Sequence, residues 1–335
     1  MNIIIPMAGI GSRLRPHTVT IPKPLTKIAG KPIVQRLVED IAGVIHEKID
    51  EICFIIGPSF PDDTTERLMQ IAASLNTKGI VVVQKQALGT AHAIYQAKES
   101  LNGPCVVAFA DTLFKADFTL NPTADGAIWV KKVTDPSAYG VVKLTDGIIT
   151  DFIEKPKDFV SDLAIIGIYY FKKGEDLRSE IEYLLANKIM DRGEYQITDA
   201  LENLKKKGAK FVPGEVNDWM DCGNKDITIK TNTSILQYAK KDGENLVADT
   251  VVLENSEIIP PCYIGENTVI KNSVVGPNVS IGTDCVVENA TINHSLIQNK
   301  TEIKNADLAN SMIGNEVVYH GDFTSVSIGD FSVLK

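Results

Sequence analysis

Four short apolar runs in the first 110 residues, separated by stretches with helical spacing, restrict the fold of this chain more than any other feature. Ile3-Ile4-Ile5, Glu51–Ile56, Ile80–Gln84 and Pro104–Ala110 read as buried strands. Between them, Pro32–His46, Asp62–Asn76 and Gly89–Ser100 read as helices, the first with Ile33, Leu37, Ile41 and Val44 on one face. Such alternation predicts an α/β fold with a doubly wound, mostly parallel sheet. Sheets of this kind bind ligands beyond the carboxyl ends of their strands. Arg13, Gln84 and Asp111 all lie just past such ends.

The first strand empties into Pro6-Met7-Ala8-Gly9-Ile10-Gly11-Ser12-Arg13-Leu14-Arg15, followed by Pro22-Lys23-Pro24-Leu25. Two glycines let the backbone close on a ligand without side chains in the way. Arg13, Arg15 and Lys23 place three cations in one loop, a pattern that suits a polyphosphate. Neither a dinucleotide-binding fingerprint nor a P-loop fits. The third glycine of the former is missing, and no Gly-Lys-Ser/Thr closes the loop.

A net charge of −9 excludes a nucleic-acid backbone as the expected partner, which needs a basic face. No stretch approaches the roughly 20 apolar residues of a membrane span. The sequence opens on a strand with no basic segment before an apolar one, so no signal peptide is expected. Cys53, Cys105, Cys222, Cys262 and Cys285 are scattered, without metal-binding spacing. They read as the reduced, buried thiols of a cytoplasmic protein.

Together, Gly9-x-Gly11-x-Arg13-Leu14, Pro22-Lys23-Pro24-Leu25 and Gly30-Lys31-Pro32-Ile33 resemble the signature of the sugar-phosphate nucleotidyltransferases, the nucleotide-sugar pyrophosphorylases. Pro6-Met7-Ala8, where many relatives carry Leu-Ala-Gly-Gly, brings the loop nearer the uridylyltransferase branch of that family. The resemblance runs with gaps to about residue 224. It implies that Arg13 and Lys23 neutralise a triphosphate, and that Asp111 and Asp221 are catalytic carboxylates holding Mg²⁺. Asp111 follows Ala110, commonly Gly in the family, and Asp221 lies in Trp219-Met220-Asp221-Cys222-Gly223. Ala8, Gly9, Gly11, Gln84, Gly89 and Thr90 are implied for the nucleotide; Gly140, Glu154, Lys155, Ile166 and Glu194 for the sugar phosphate.

Several of these residues have independent chemical sense. A Gln amide presents a donor and an acceptor, as the N3–H and O4 edge of a pyrimidine requires. Glu154 can accept from two neighbouring hydroxyls, and Lys155 offers a point charge to a phosphate. His92 reads as a packed helix residue, and Thr198 and Asp199 as caps of a following helix. Ala127–Lys132, Gly140–Leu144, Ile148–Glu154 and Ala164–Phe171 read as antiparallel strands that build the sugar pocket, with Asp146-Gly147 as a hairpin turn. Ile165-Ile166-Gly167 stands where relatives that take an acetamido sugar often show Asn-Thr-Gly, which favours glucose 1-phosphate.

After a helix over Lys225–Lys241 the composition changes. Ile258, Ile264, Ile270, Val275, Ile281 and Val287 recur near every sixth position, the period of hexapeptide repeats in a left-handed parallel β-helix. The register slips after Asn289. The expected organisation is a catalytic domain over 1–224, a linker helix over 225–249 and a β-helix over 250–335. The β-helix is expected to support assembly, giving a homo-oligomer, or regulation.

The expected reaction transfers a nucleotidyl group from dTTP or UTP to a sugar 1-phosphate with release of pyrophosphate. Two alternatives stand beside it. One is a mannose-1-phosphate guanylyltransferase. The other is a bifunctional nucleotidyltransferase/acetyltransferase using His294 or His320 as base.

Overall fold

Ile3, Ile4 and Ile5 are fully buried, as expected of a strand covered on both faces. The structure, a computed structural model, describes residues 1–45, 47–116, 121, 123–321 and 326–334. It divides into two units, one of residues 1–9 and 37–219, the other of residues 10–36 and 220–335.

Among the described residues, the first unit holds a nine-stranded sheet of β1 (Asn2–Pro6), β2 (Glu51–Ile56), β3 (Lys78–Val83), β4 (Cys105–Ala108), β5 (Gly126–Lys132), β6 (Gly140–Thr145), β7 (Ile148–Glu154), β8 (Leu163–Phe171) and β9 (Phe211–Glu215). The order is β7-β6-β8-β4-β1-β2-β3, with β5 pairing β8 and β9. The strands β4, β1, β2 and β3 are parallel. The antiparallel strands predicted around the sugar pocket are not set apart from them. β8 pairs antiparallel with β4, so they continue the same sheet. The hairpin between β6 and β7 turns at Asp146 and Gly147, both at positive φ (51° and 76°). That is the backbone an Asp-Gly two-residue turn is chosen for.

Helices Thr64–Ser74 and Thr90–Tyr95 lie between the parallel strands, and Gly174–Ala186 and Ile197–Lys206 follow β8. The helix Ile33–Val44 leads from the second unit into the first, and its expected end at His46 lies outside the described residues. Leu177, Ile181, Ala200 and Leu201 from the later helices bury against Ile4, Val107, Ile128 and Phe171 of the sheet. Each large aliphatic or aromatic side chain so buried contributes about 1.5–3 kcal/mol. All five cysteines are free and buried. Burial pushes the Cys53 and Cys105 thiols up to about 11 and about 12.

In the second unit, helix Lys225–Lys241 starts at Asn224, whose side chain accepts from Ile227 N–H. A left-handed parallel β-helix follows. Ile264, Ile270, Val275, Ile281 and Val287, five of the predicted sixth-position residues, are all fully buried in its core. Val252, Val269 and Val286 stack seventeen residues apart, whereas Val286, Glu302 and Val318 stack sixteen apart. A coil one residue shorter is the physical reason the sequence register slips after Asn289. Corners are turned by residues at positive φ, among them Asn255, Asn272, Asn289 and Asn305, a conformation asparagine tolerates. Asn255 donates to Asn272, and Asn289 to Asn305, tying coil to coil. At another corner Gly265 sits over Gly282, and a Cβ on Gly265 would lie 2.7 Å from the Gly282 main chain. Backbone cannot yield there. Gly265→Ala is therefore expected to cost the β-helix about 1–3 kcal/mol, the range of core overpacking, read as a lowered urea midpoint.

Candidate active site

In the first unit, Gln84 and Asp111 lie past strand ends, whereas Gly140, Glu154 and Ile166 stand on strands. Gln84 follows β3 and is 7% exposed. Its Nε2 lies 3.1 Å from His92 Nδ1 and 3.4 Å from the Gly89 carbonyl. A carbonyl only accepts, so the amide nitrogen must face it. Oε1 is then the amide's remaining hydrogen-bonding group, a narrower role than the donor-and-acceptor pair predicted from sequence. His92, expected merely to pack, orients this amide. Its place one turn into the helix that follows Gly89 was the available signal.

Gly89 has φ 107°, and any Cβ would fall 2.5 Å from the Tyr195 carbonyl. Tyr195 N–H donates to Leu88 O, and Ala91 N–H donates to Tyr195 O. The Ala91 N–H at the start of the helix after Gly89 is thus used internally. Thr90 Oγ1 donates to Gln196 Oε1 and accepts from Ile197 N–H. The cap of helix Ile197–Lys206 therefore comes from Thr90. Thr198 and Asp199, predicted as caps, lie inside its first turn.

Thr198 Oγ1 instead donates to Glu154 Oε2 at 3.3 Å. Glu154 pairs across the sheet with Gly140, where a Cβ would come within 3.0 Å of the same oxygen. Lys155 Nζ stands 3.7 Å from Glu154 Oε1. Lys155 has φ 39°, a left-handed conformation costly for a residue with a Cβ, and Arg192 donates to its carbonyl at 3.0 Å. Glu194 is exposed and accepts from Gln196 Nε2. Ile166 is buried within β8.

Asp111 is half-buried beyond β4, and Trp219 Nε1 donates to the neighbouring Thr112 hydroxyl. The buried Tyr169 phenol is pushed up by desolvation first, and then by the charges of Glu154 and Asp111. Both carboxylates therefore act on one buried hydroxyl, a residue that sequence reasoning passed over. Ala8 is half-buried and Gly9 exposed at the end of β1.

In the second unit, Gly11 has φ 65° and caps the short turn Ser12–Leu14. A Cβ there would meet Lys23 Cβ at 2.9 Å, so glycine lets Lys23 come close. Lys23 is buried and Arg13 exposed. Thr18 Oγ1 donates to the Gly11 carbonyl. Asp221 is half-buried, and a Cβ on Gly223 would lie 2.8 Å from its Oδ2, so glycine lets that carboxylate lie close against the main chain. Thr231 Oγ1 donates to the Asp221 carbonyl.

The profile of the nucleotidyl transferase family matches residues 2–238, and the chain belongs to that family. It is 31% identical over 271 residues to the bifunctional protein GlmU of Methanococcus maripaludis, covering 78% of this chain and 62% of that protein. The chain thus spans about three fifths of the length of such relatives. It is also 31% identical over 275 residues to the mannose-1-phosphate guanylyltransferase catalytic subunit beta of Drosophila pseudoobscura pseudoobscura, covering 78% of this chain and 70% of that protein. Among solved structures, a nucleoside-diphosphate-sugar pyrophosphorylase from Vibrio cholerae RC9 aligns with a TM-score of 0.60 at 22% identity, over 69% of this chain and 99% of that one. A UDP-glucose pyrophosphorylase complexed with UDP-glucose aligns at 0.56 and 25% identity, over 72% and 98%.

Burial pushes the Glu154 carboxyl up, against the opposing pull of Lys155 and the Thr198 hydrogen bond. The folded protein then holds this proton more tightly than the unfolded chain. Stability falls as pH rises through the window just above the ordinary value of 4.5. Glu154→Gln should therefore be more stable than wild type at pH 7 and equal to it below about pH 4. Urea denaturation at the two pH values checks this, and equal stability at both would remove the burial cost from Glu154.

Proposed function

We propose that this chain is a sugar-1-phosphate nucleotidyltransferase whose catalytic residues lie within 1–224, followed by a linker helix and the β-helix over 250–335. The observation that carries the reading is the half-buried Glu154 carboxylate with Lys155 Nζ 3.7 Å from its Oε1. It offers an acceptor for sugar hydroxyls next to a cation suited to a phosphate. The incoming sugar phosphate oxygen attacks the α-phosphorus of a nucleoside triphosphate. A new P–O bond forms as the α–β bridge breaks, and pyrophosphate leaves. The nucleophile is already ionised, so no general base is needed, and catalysis is positioning and charge stabilisation. Arg13 and Lys23 offset the charge of the triphosphate, and Lys155 holds the incoming phosphate.

Among the described residues no group of three or more His, Cys, Asp or Glu is arranged to hold a metal. Mg²⁺ needs none, because one or two carboxylates suffice when water and substrate phosphates fill the other places. The carboxylates of Asp111 and Asp221 are hard oxygen donors of the kind that requirement names. When bound, Mg²⁺ would offset the charge of the polyphosphate.

For the base, Gln84 Oε1 is matched to an N–H, and the Gly89 main chain, with no Cβ over it, can supply the complementary donor. Thymine and uracil present N3–H and O4 in that order. Adenine presents the reverse pattern, leaving two groups unpaired at about 1–3 kcal/mol each. Guanine shares the pyrimidine pattern through N1–H and O6, so only its size is discriminated against. This is why a guanylyltransferase remains the second reading, favoured by the 31% identity to the Drosophila protein. The proposal is dTTP or UTP with glucose 1-phosphate.

Comparison of kcat/KM for dTTP, UTP, GTP and ATP tests it. A pyrimidine should lead, ATP should trail it by roughly 5- to 150-fold per unpaired group, and Gln84→Ala should compress the ranking. GTP in the lead, or a ranking untouched by Gln84→Ala, would make the guanylyltransferase the better assignment. Independently of the base, Lys23→Ala is expected to lower kcat by roughly 10²–10³, the scale of one preorganised electrostatic contact. Turnover near that of wild type would remove Lys23 from the chemistry.

A further inference from the structure

Residues 10–36, which carry Arg13 and Lys23, form one unit with the C-terminal half of the chain. Before the helix that starts at Ile33, regular structure within them is slight: two single turns, Ser12–Leu14 and Lys23–Leu25, and a two-residue strand pair, Lys27–Ile28 with Lys31–Pro32. The segment's own main-chain bonds mostly close local turns, so how those turns are held depends on further partners.

The partners come from far along the chain. At its base, the fully buried Asn232 places one carbonyl oxygen between Ala29 N–H, at 3.2 Å, and Ser280 Oγ, at 2.7 Å. Gln298 Nε2 donates to the Lys27 carbonyl at 3.0 Å, and the Tyr263 ring lies so close over Gly30 that a Cβ would sit 2.3 Å from it. At its tip the contacts come from the last coil. His17 Nε2 and Ser327 Oγ are 2.9 Å apart. Asp330 takes the Thr20 hydroxyl on one oxygen and Asn315 N–H on the other, joining loop to coil. Gly329 lets Pro16 approach, since a Cβ would come within 3.0 Å of Pro16 Cβ. His17 is 5% exposed, and its Nδ1 has no hydrogen-bond partner among the described residues. Burial holds the imidazole at about 4, so it is neutral, and among the described residues Ser327 is its one polar anchor.

From these contacts we infer that the last coil of the β-helix is a positioning element for the triphosphate, with Ser327 and Asp330 fixing the loop that presents Arg13 and Lys23. The β-helix is then part of the nucleotide-binding machinery, beyond the assembly or regulatory role expected from sequence. The activity readout of this inference rests on the nucleotidyltransferase reading; its structural readout does not.

The test uses the full chain with Ser327→Ala, Ser327→Thr and Gly329→Leu. Two readouts are independent of turnover: hydrogen exchange over residues 11–26, and the Kd for inorganic tripolyphosphate by calorimetry. Ser327→Ala and Gly329→Leu should speed exchange in that segment and weaken tripolyphosphate, each about fivefold or more, with Ser327→Thr restoring both. In turnover, KM for the triphosphate should rise by the same factor and KM for the sugar phosphate should not. Unchanged exchange in both variants overturns the inference. So does faster exchange with tripolyphosphate binding intact, or an equal rise in both KM values. A wild-type chain that neither binds tripolyphosphate nor releases pyrophosphate overturns the enzymatic reading instead, and the exchange data still decide whether the coil holds the loop.

Discussion

Main-chain hydrogen bonding is the constraint on which the rest of the structure depends. β1 is satisfied on both sides, by β2 and by β4, and is fully buried. Where it ends, the chain leaves the ladder and enters a segment with almost no ladder of its own. Each buried polar group there must find a partner or cost about 1–3 kcal/mol. Asn232, Gln298 and Thr18 supply partners to Ala29, Lys27 and Gly11, while Arg36 donates to the Ile28 and Ala29 carbonyls. That segment has only the short ladder of Lys27–Ile28 with Lys31–Pro32. It therefore borrows its rigidity from elsewhere.

The strand end that carries Glu154 is built on the opposite principle. Its residues stand on regular strands, and the cost lies in the side chains and one backbone angle. Glu154 is a carboxylate in partial burial, Gly140 clears space for it, and Lys155 is held in a left-handed conformation by the Arg192 bond to its carbonyl. Each feature is unfavourable for folding alone. Their coincidence at one strand end is the pattern expected where binding outweighs stability.

Much of this was legible in the sequence because it was local. Glu51–Ile56, Lys225–Lys241 and the Asp146-Gly147 turn are specified by neighbouring residues and fall where the periodicity and turn chemistry put them. The β-helix repeat was legible until the coil shortened, because a fixed period cannot follow a one-residue deletion. What escaped was tertiary. Nothing near Thr198 reveals that Thr90 takes the cap while Thr198 turns to Glu154. Nothing in the strand pattern of β8 says that it will join β4 and continue the parallel core. The partners of the loop lie some 200 to 310 residues from it, so no window of sequence contains both ends.

The coils of the β-helix also differ in how well their corners suit their residues. The early corners carry Asn255, Asn267, Asn272 and Asn278, residues that accept positive φ readily. Later corners carry Lys300, Glu316 and finally Phe331, where the same angle costs about 1–2 kcal/mol. Phe331 is in addition largely exposed, so burial returns little of that cost. It directly follows Asp330, whose carboxylate bridges Thr20 and Asn315. Strain of this kind persists when surrounding contacts over-determine the conformation. The least ideal of these corners thus stands in the coil that holds the tip of the loop, while earlier coils hold its base.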